Sequence, residues 1–185
     1  MALLALAVIA FALIHLVPAV PPVKARLQGA LGAAYGPVFG IAATASLVLI
    51  IVGWSISGYV SVYEPAMRLR QATVVLLLLA FLCLGVFLFR GRLRQHLRFP
   101  LAIGVMLWGA GHLFANGDLA SLILFGGLIA YAAAHLALGL AYGIRPSPEV
   151  RSGHDILSLV AGVALYIAMV QLHPVLIGVH VMAYP

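Results

Sequence analysis

Long apolar runs, broken by proline, glycine and charge, are the feature that most limits what this chain can fold into. Of its 185 residues, 65% are hydrophobic and only 8% are charged, and the mean hydropathy is +1.19. A water-soluble domain of this size has too little interior for so much apolar surface, whereas about 20 consecutive apolar residues span a bilayer as a helix. The composition therefore predicts an all-α, polytopic membrane helix bundle, a single domain over residues 1–185 with the lipid bilayer as its partner.

The apolar runs predict about six transmembrane helices. Pro18 ends the first, Tyr63-Glu64-Pro65 follows the second, and the basic stretch Arg90–Arg98 separates the third from the fourth. The turn Asn116-Gly117-Asp118 is so short that the fourth and fifth helices should form a tight antiparallel pair. The first run lacks the basic leader of a signal peptide, so we expect it to be retained. The predicted helices lie near residues 2–18, 36–58, 71–90, 100–116, 119–143 and 155–173.

The basic residues predict the orientation of the bundle. With the N-terminus outside, only Arg68 and Arg70 fall in outer connections, which agrees with the positive-inside rule. The net charge of +6 therefore indicates topology, and we expect no nucleic-acid partner. The prediction is N-out and C-out, although an extra span formed by the tail Leu172–Pro185 would reverse the C-terminal side. The cytoplasmic connections then hold Lys24, Arg26, Arg90, Arg92, Arg94, Arg98, Arg145 and Arg151.

Two histidines, His15 and His112, lie inside apolar runs. An ionisable side chain in hydrocarbon is costly to bury and by default indicates a function. At 1.5 Å rise per residue, His15 lies roughly 20 Å from an outer helix start and His112 roughly 18 Å from an inner one, so their depths agree within about 10 Å. Two imidazoles on facing helices can bind a metal or both faces of a haem iron. Alternatively, each donates a hydrogen bond to a polar group on a neighbouring helix.

The remaining histidines are weaker candidates. His135 is also intramembrane, on the fifth helix, and is a reserve ligand. His96 is expected to be solvated among arginines, His154 to mark a helix start, and His173 to be an interfacial anchor before Pro174. The sequence leaves open whether His135, His173 or His180 replaces one of the two proposed ligands. His180 can be a ligand only if the C-terminal tail folds back.

Few other groups could take part in a site. Asn116 and Asp118 are expected to end the fourth helix and cap the fifth, or else to line a polar pocket near His112 together with Trp108. Cys83 is the only cysteine, so no intramolecular disulfide forms. No cluster of cysteines or carboxylates has the spacing of zinc ligands, which disfavours a tetrahedral zinc site.

Three segments resemble the NnrU family of integral membrane proteins. Phe11-Ala-Leu-Ile-His15 followed by Pro18 is similar to the start of that family, and Leu107–Gly127 is similar to its central motif. Leu172–Gly178 resembles its C-terminal signature. The Asn-Gly-Asp-Leu-Ala-Ser block within the central segment is the most specific part of the resemblance.

The resemblance implies a haem b protein of the bacterial inner membrane. Members are linked to denitrification, in association with nitrite and nitric oxide reductase activity, and they include the plant 15-cis-zeta-carotene isomerase. That enzyme isomerises a polyene double bond when its haem iron is reduced. Its two haem-ligating histidines correspond to His15 and His112 here, and a hydrophobic polyene would be the substrate.

Two positions depart from the family pattern. The family's Arg-His-Pro before the fourth helix is Arg98-Phe99-Pro100 here, so any role of that histidine is absent or has moved, for example to His96. The isomerase's alternative cysteine ligand falls at Gly109, which cannot bind iron. A ligand switch through cysteine is therefore excluded, whereas loss of one histidine on reduction is not.

Three hypotheses follow. The first is a haem b protein that acts as a redox-dependent cis–trans isomerase of a carotenoid-like polyene. The second is a non-catalytic membrane factor that carries or senses haem, or supports nitrogen-oxide reductases. The third is a scaffold whose histidines are structural and bind no cofactor.

Overall fold

The computed structural model describes residues 1–181, and within that range the chain is built from helices with no strand. Five helical stretches are long and apolar enough to cross a membrane, and α6 is a shorter apolar helix. The protein is therefore an all-α, multi-pass membrane bundle, as its composition predicts. The helices are α1 (Ala2–Leu16), α2 (Pro21–Leu31), α3 (Tyr35–Ser55), α4 (Met67–Leu88), α5 (Arg92–Leu97), α6 (Pro100–Ala115), α7 (Leu119–Ala141) and α8 (His154–Ile177).

Each of the six predicted helices has a counterpart, in α1, α3, α4, α6, α7 and α8. Two shorter helices were missed. One is α2, where Pro21 and Pro22 occupy the first helical positions, at which a missing N–H costs nothing. The other is α5, within the basic stretch between α4 and α6. The predicted end of the sixth helix at residue 173 was also too early, because Pro174 lies inside the last turn of α8.

Neighbouring helices pack in the order α8, α4, α6, α7, α1, α3. One buried cluster contains Leu4 and Val8 of α1, Ile50 of α3 and Ala120 of α7, and so joins these three helices. A second joins α6 to α7 through Ala102 and Ala132. The helix α4 therefore lies between α6 and α8, while α7 packs against both α1 and α6.

One end of the bundle, called here the Asn116 end, carries the connections around residues 56–66 and 116–118. The α3–α4 connection pairs with the α6–α7 turn, since the amides of Val62 and Tyr63 both donate to the carbonyl of Gly117, at 2.9 and 3.0 Å. The amide of Leu119 donates in turn to Val60, at 2.8 Å. This pairing closes the bundle over the end of α6.

The opposite end, called the Arg98 end, carries most of the basic residues. The Arg98 side chain donates to the carbonyl of Ile144 at 2.7 Å, and Asp155 accepts from the amide of Leu93 at 2.9 Å. These bonds attach α5 and the residue after it to the first turn of α8 and to the α7–α8 connection. The positive-inside rule predicts that this end faces the cytoplasm.

Glycines allow the backbones of α4 and α8 to approach closely where the two helices cross. A Cβ built on Gly162 would lie 2.8 Å from the carbonyl oxygen of Phe81, and a Cβ on Gly85 would overlap the carbonyl of Ser158. Small residues at such crossings let membrane helices pack through their backbones. The α4–α8 contact is therefore tight toward the Arg98 end.

We expect Gly85→Ala to destabilise the bundle by about 1–3 kcal/mol, because the added methyl meets backbone that cannot move independently of α8. Gly40→Ala on α3 is the matched control, since no atom lies within 4 Å of its Cβ position. Thermal unfolding in detergent micelles measures both. Equal unfolding midpoints for the two variants would contradict a tight crossing.

Candidate functional site

His112 lies one turn before the end of α6. Its Nδ1 is 2.8 Å from the carbonyl oxygen of Trp108, and since a carbonyl only accepts, Nδ1 must carry the proton. The ring stacks on Phe125 with centroids 4.5 Å apart. Among the described residues Nε2 has no hydrogen-bond partner, so its lone pair remains available to a ligand.

A cavity of about 520 Å³ lies beside His112, between α4, α6 and α8. Most of its walls are apolar. From α4 it is lined by side chains that include Val74 and Leu77, and from α8 by Tyr166 and Met169. Its polar groups lie near the Asn116 end, where Arg70, Gln71, Thr73, Asn116, His173 and His180 line it together with Trp108 and His112.

The C-terminal tail folds back onto this cavity. Gly178 ends α8 with φ of +81°, a left-handed conformation that glycine adopts without strain. The chain then turns so that the carbonyl of Val179 lies 2.8 Å from Nδ1 of His173, and His180 reaches the cavity wall. The tail thus folds back as far as residue 181, which a ligand role for His180 requires. The rest of the tail lies outside the described residues.

His15 lies elsewhere in the bundle. Its ring stacks on Phe11 at 3.8 Å and meets Phe39 and Tyr131 edge-on at 6.0 and 6.2 Å, and its Nδ1 pairs with the carbonyl of Phe11 at 2.8 Å. Since Tyr131 is six residues beyond Phe125 on α7, the rings that neighbour His15 and His112 are separated by about 9 Å along that helix. His15 is not among the residues that line the cavity beside His112.

His135, the reserve ligand, is also remote from the cavity. Its ring lies 6.1 Å from that of Tyr131 and 6.4 Å from that of Phe99. His135 and His15 thus share Tyr131 as a neighbour, in the half of the bundle toward the Arg98 end. Phe99 occupies the place where the family pattern has a histidine.

Asn116 and Asp118 have the structural roles predicted for them. The Asn116 side chain donates to the carbonyl of His112 at 2.9 Å and so ends α6. Asp118 caps α7, since its carboxylate accepts from the amide of Ser121 at 2.9 Å and from its hydroxyl at 2.6 Å. Asn116 also reaches the cavity, whereas Asp118 is not among the residues that line it.

The described residues contain no group of three or more histidines, cysteines or acidic residues arranged to hold a metal ion. The cavity is lined by three imidazoles, with the side chains of Met67, Met169 and Tyr166 as further possible donors. Bare metal ions in proteins commonly need three or four protein ligands, whereas a haem iron takes four nitrogens from the porphyrin and needs only axial ligands from the protein. The donor set therefore fits a haem better than a free ion.

The family model described as NnrU protein matches residues 3–181, which is nearly the whole chain. The chain belongs to the NnrU family. No curated protein and no solved structure gives a significant match. His112 and the cavity thus belong to the part of the chain that the NnrU family model covers.

The sequence left open a ligand role for His173 but did not predict that it lines the same cavity as His112. The two residues are 61 positions apart, and no local spacing relates them. The resemblance of Leu172–Gly178 to the family's C-terminal signature was the one signal that marked His173. It did not indicate which part of the bundle this histidine would contact.

Tyr63 attaches the α3–α4 connection to the end of α6. Its hydroxyl donates to the carbonyl of Leu113 and to that of Asn116, the latter at 2.9 Å. Burial, and secondarily the charge of Asp118, raise the pKa of Tyr63 above its ordinary value. The folded protein therefore holds this proton more tightly than the unfolded chain does.

We expect Tyr63→Phe to lower stability by about 1 kcal/mol, because both carbonyls lose their donor. The contribution of Tyr63 is fully present below the phenol's ordinary pKa and is lost as pH rises through the raised one. At alkaline pH the wild type should therefore lose the contribution of Tyr63 to its stability, whereas the variant lacks that contribution at every pH. Tyr59→Phe, at a side chain 80% exposed, is the control, and thermal unfolding at neutral and alkaline pH is the measurement.

Proposed function

We propose that this NnrU-family protein binds haem b with His112 as an axial ligand, in the cavity between α4, α6 and α8. One observation carries the proposal. His112 has its Nδ1 proton fixed by the carbonyl of Trp108 and leaves Nε2 without a partner among the described residues, at the wall of an apolar cavity. This is the arrangement in which ligating histidines are usually held, because the carbonyl fixes the tautomer and the ring orientation.

The walls of the cavity suit a porphyrin. A volume of about 520 Å³ lies within the range of cofactor sites, which are mainly apolar with a few convergent polar groups. Arg70 and Gln71 line the cavity near the Asn116 end. A guanidinium and an amide there can bind haem propionates, since arginine pairs with carboxylates through parallel N–H···O bonds.

We further propose that the bound haem serves the cis–trans isomerisation of a carotenoid-like polyene. Reduced haem, when bound, supplies an iron coordination position to a double bond. The cavity is lined along α4 from Met67 to Phe81, a span of about 21 Å at helical rise, which suits an elongated apolar molecule. Val74 and Leu77 on α4 and Met169 on α8 would hold such a chain and exclude water from it.

The proposed location is the inner membrane of a bacterium, with the Asn116 end outside. The described residues include 42 exposed large hydrophobic side chains, most of them on the helices, as expected for surfaces in contact with lipid. In this orientation, the cavity lies toward the outer surface. A hydrophobic substrate can then enter laterally from the bilayer.

We expect protein purified in mild detergent to show the absorption bands of haem b, sharpened on reduction with dithionite. His112→Ala should lose most of the bound haem, because it removes the axial ligand. His96→Ala is the matched control, since His96 is exposed and makes the same kind of Nδ1 bond, to the carbonyl of Arg92 at 2.9 Å. A stably folded wild type that stays colourless after addition of haemin would overturn the proposal.

A second measurement tests the activity. The protein is produced in a host that accumulates a cis-polyene, and the isomer ratio is followed by chromatography, with the His112→Ala variant alongside. Conversion that depends on reduced haem and is lost in His112→Ala supports the isomerase. Retained haem without conversion would refute the isomerase and favour a non-catalytic haem protein that supports nitrite or nitric oxide reductases.

A further inference from the structure

We infer that the Arg98 end carries a binding site for the phosphate group of an anionic phospholipid, between Arg92 and Arg151. The site is formed by the start of α5, the α7–α8 connection and the first turn of α8. It lies at the opposite end of the bundle from His112 and does not rest on the proposed haem binding. Its lipid belongs to the cytoplasmic leaflet, because the positive-inside rule places this end there.

The surplus charge of the chain is concentrated at this end. At the Asn116 end, Arg68 and Arg70 are balanced by Glu64 and Asp118. The whole net charge of +6 therefore lies at the Arg98 end, on the segments that join the helices there. Such a charge attracts the anionic lipids of the cytoplasmic leaflet, but its effect falls off within a Debye length and by itself selects no single binding place.

A polar cavity of about 470 Å³ provides a defined place. Arg92 is the first residue of α5 and Arg151 lies in the α7–α8 connection, so the two arginines line the cavity from different elements. The carboxylate of Asp155 also lines it, but its Oδ1 already accepts from the amide of Leu93 at 2.9 Å. Two guanidinium groups against one carboxylate leave the cavity positive. The lining residues are Arg92, Val150, Arg151, Ser152, Gly153 and Asp155.

The guanidinium groups of Arg92 and Arg151 are not engaged elsewhere. Neither makes a hydrogen bond, an ion pair or a ring contact within the part of the chain that the structure describes. Because arginine binds phosphate oxygens through parallel N–H···O bonds, two such groups on one cavity suit a phosphate. Three other arginines at this end already have partners: Arg90 pairs with Glu149, Arg94 lies over the ring of Phe87, and Arg98 donates to the carbonyl of Ile144.

The backbone that carries the two arginines is fixed by its own contacts. The amide of Arg151 donates to the carbonyl of Arg90 at 2.8 Å, which joins the α7–α8 connection to the segment that enters α5. Gly91, directly before Arg92, packs so closely on Asp155 that a Cβ there would overlap the carboxylate. The cavity is therefore formed by the fold itself, and a ligand binds without first having to order the backbone around it.

The apolar surface beside the cavity favours a lipid over a free phosphate. Val150 lines the cavity and is 45% exposed, and Ile156, which follows Asp155 on α8, is 70% exposed. Leu88, the last residue of α4, is 53% exposed. Exposed side chains of this kind suit the acyl chains of a lipid. A phospholipid can thus use both the arginines and this apolar surface, whereas a free phosphate uses only the arginines.

The test uses the full-length protein, delipidated in mild detergent and titrated with phosphatidylglycerol or with phosphatidylcholine of the same acyl chains. Native mass spectrometry counts the bound lipids in about 0.5 M ammonium acetate, which screens exposed charges beyond a few ångströms. We expect one phosphatidylglycerol to bind before any phosphatidylcholine does. Arg92→Gln and Arg151→Gln should each lower the affinity for this lipid by about tenfold, because a charge-assisted hydrogen bond to the phosphate is lost.

Arg145→Gln is the matched control. Arg145 is exposed at the same end and also has no side-chain partner among the described residues, but it does not line the cavity. This variant should bind the first phosphatidylglycerol as the wild type does. Arg151→Lys keeps the charge but not the parallel bonds, so its affinity should lie between those of the wild type and Arg151→Gln.

Three outcomes would overturn the inference. An equal loss of affinity in Arg145→Gln and in the two cavity variants would indicate attraction by surface charge alone. Equal binding of the two lipids would indicate that the site does not select a negative headgroup. Displacement of phosphatidylglycerol by millimolar inorganic phosphate would indicate a site for a free anion. None of these outcomes bears on haem binding, which is measured separately by absorption.

Discussion

The close crossing of α4 with α8 is the contact on which the arrangement of the site depends. Without a hydrophobic force between helices in lipid, association relies on backbone approach and packing, which Gly85 and Gly162 provide. Further toward the Asn116 end the same helices carry Phe81 and Tyr166, whose rings meet at 6.0 Å. The backbones therefore approach closely at Gly85 and Gly162, and the rings of Phe81 and Tyr166 meet beside this crossing. These two rings also line the cavity, which extends from them toward the Asn116 end.

Hydropathy and turn chemistry were enough to predict most of the fold. The six apolar helices and the capping role of Asp118 follow from local sequence, because a bilayer sets helix length and an Asp before a helix accepts its first amides. The helix α2 was missed since its apolar content is lower and it begins with two prolines. The presence of His112 and His173 on the wall of one cavity depends on how α6 and α8 pack against α4, which is a non-local property. The turn at Gly178 that brings the tail back has no periodic signal either.

Burial and hydrogen bonding alone do not distinguish a ligating histidine in this bundle from a structural one. His15, His96 and His112 all pair Nδ1 with the carbonyl four residues earlier, although His96 lies at the surface. This bond is thus a local property of helical histidines. The surroundings of Nε2 make the difference. Both rings contact aromatic side chains, but only that of His112 also borders the cavity, where other imidazoles lie on the wall. The sequence could show that both histidines are intramembrane, but it could not show this contrast.

A ligand bound between α6 and α8 has consequences for the stability of the whole bundle. At the Asn116 end, α6 is tied to α4 by the Thr73 hydroxyl, which donates to the carbonyl of Gly111 at 2.9 Å, while α8 faces it across the cavity. A ligand that fills the cavity would contact both helices. Because such a ligand binds the folded chain and not the unfolded one, its binding free energy adds to the stability of the bundle. A ligand in this cavity would therefore stabilise the contact of α8 with the rest of the bundle, and the turn at Gly178 brings the tail to the same cavity.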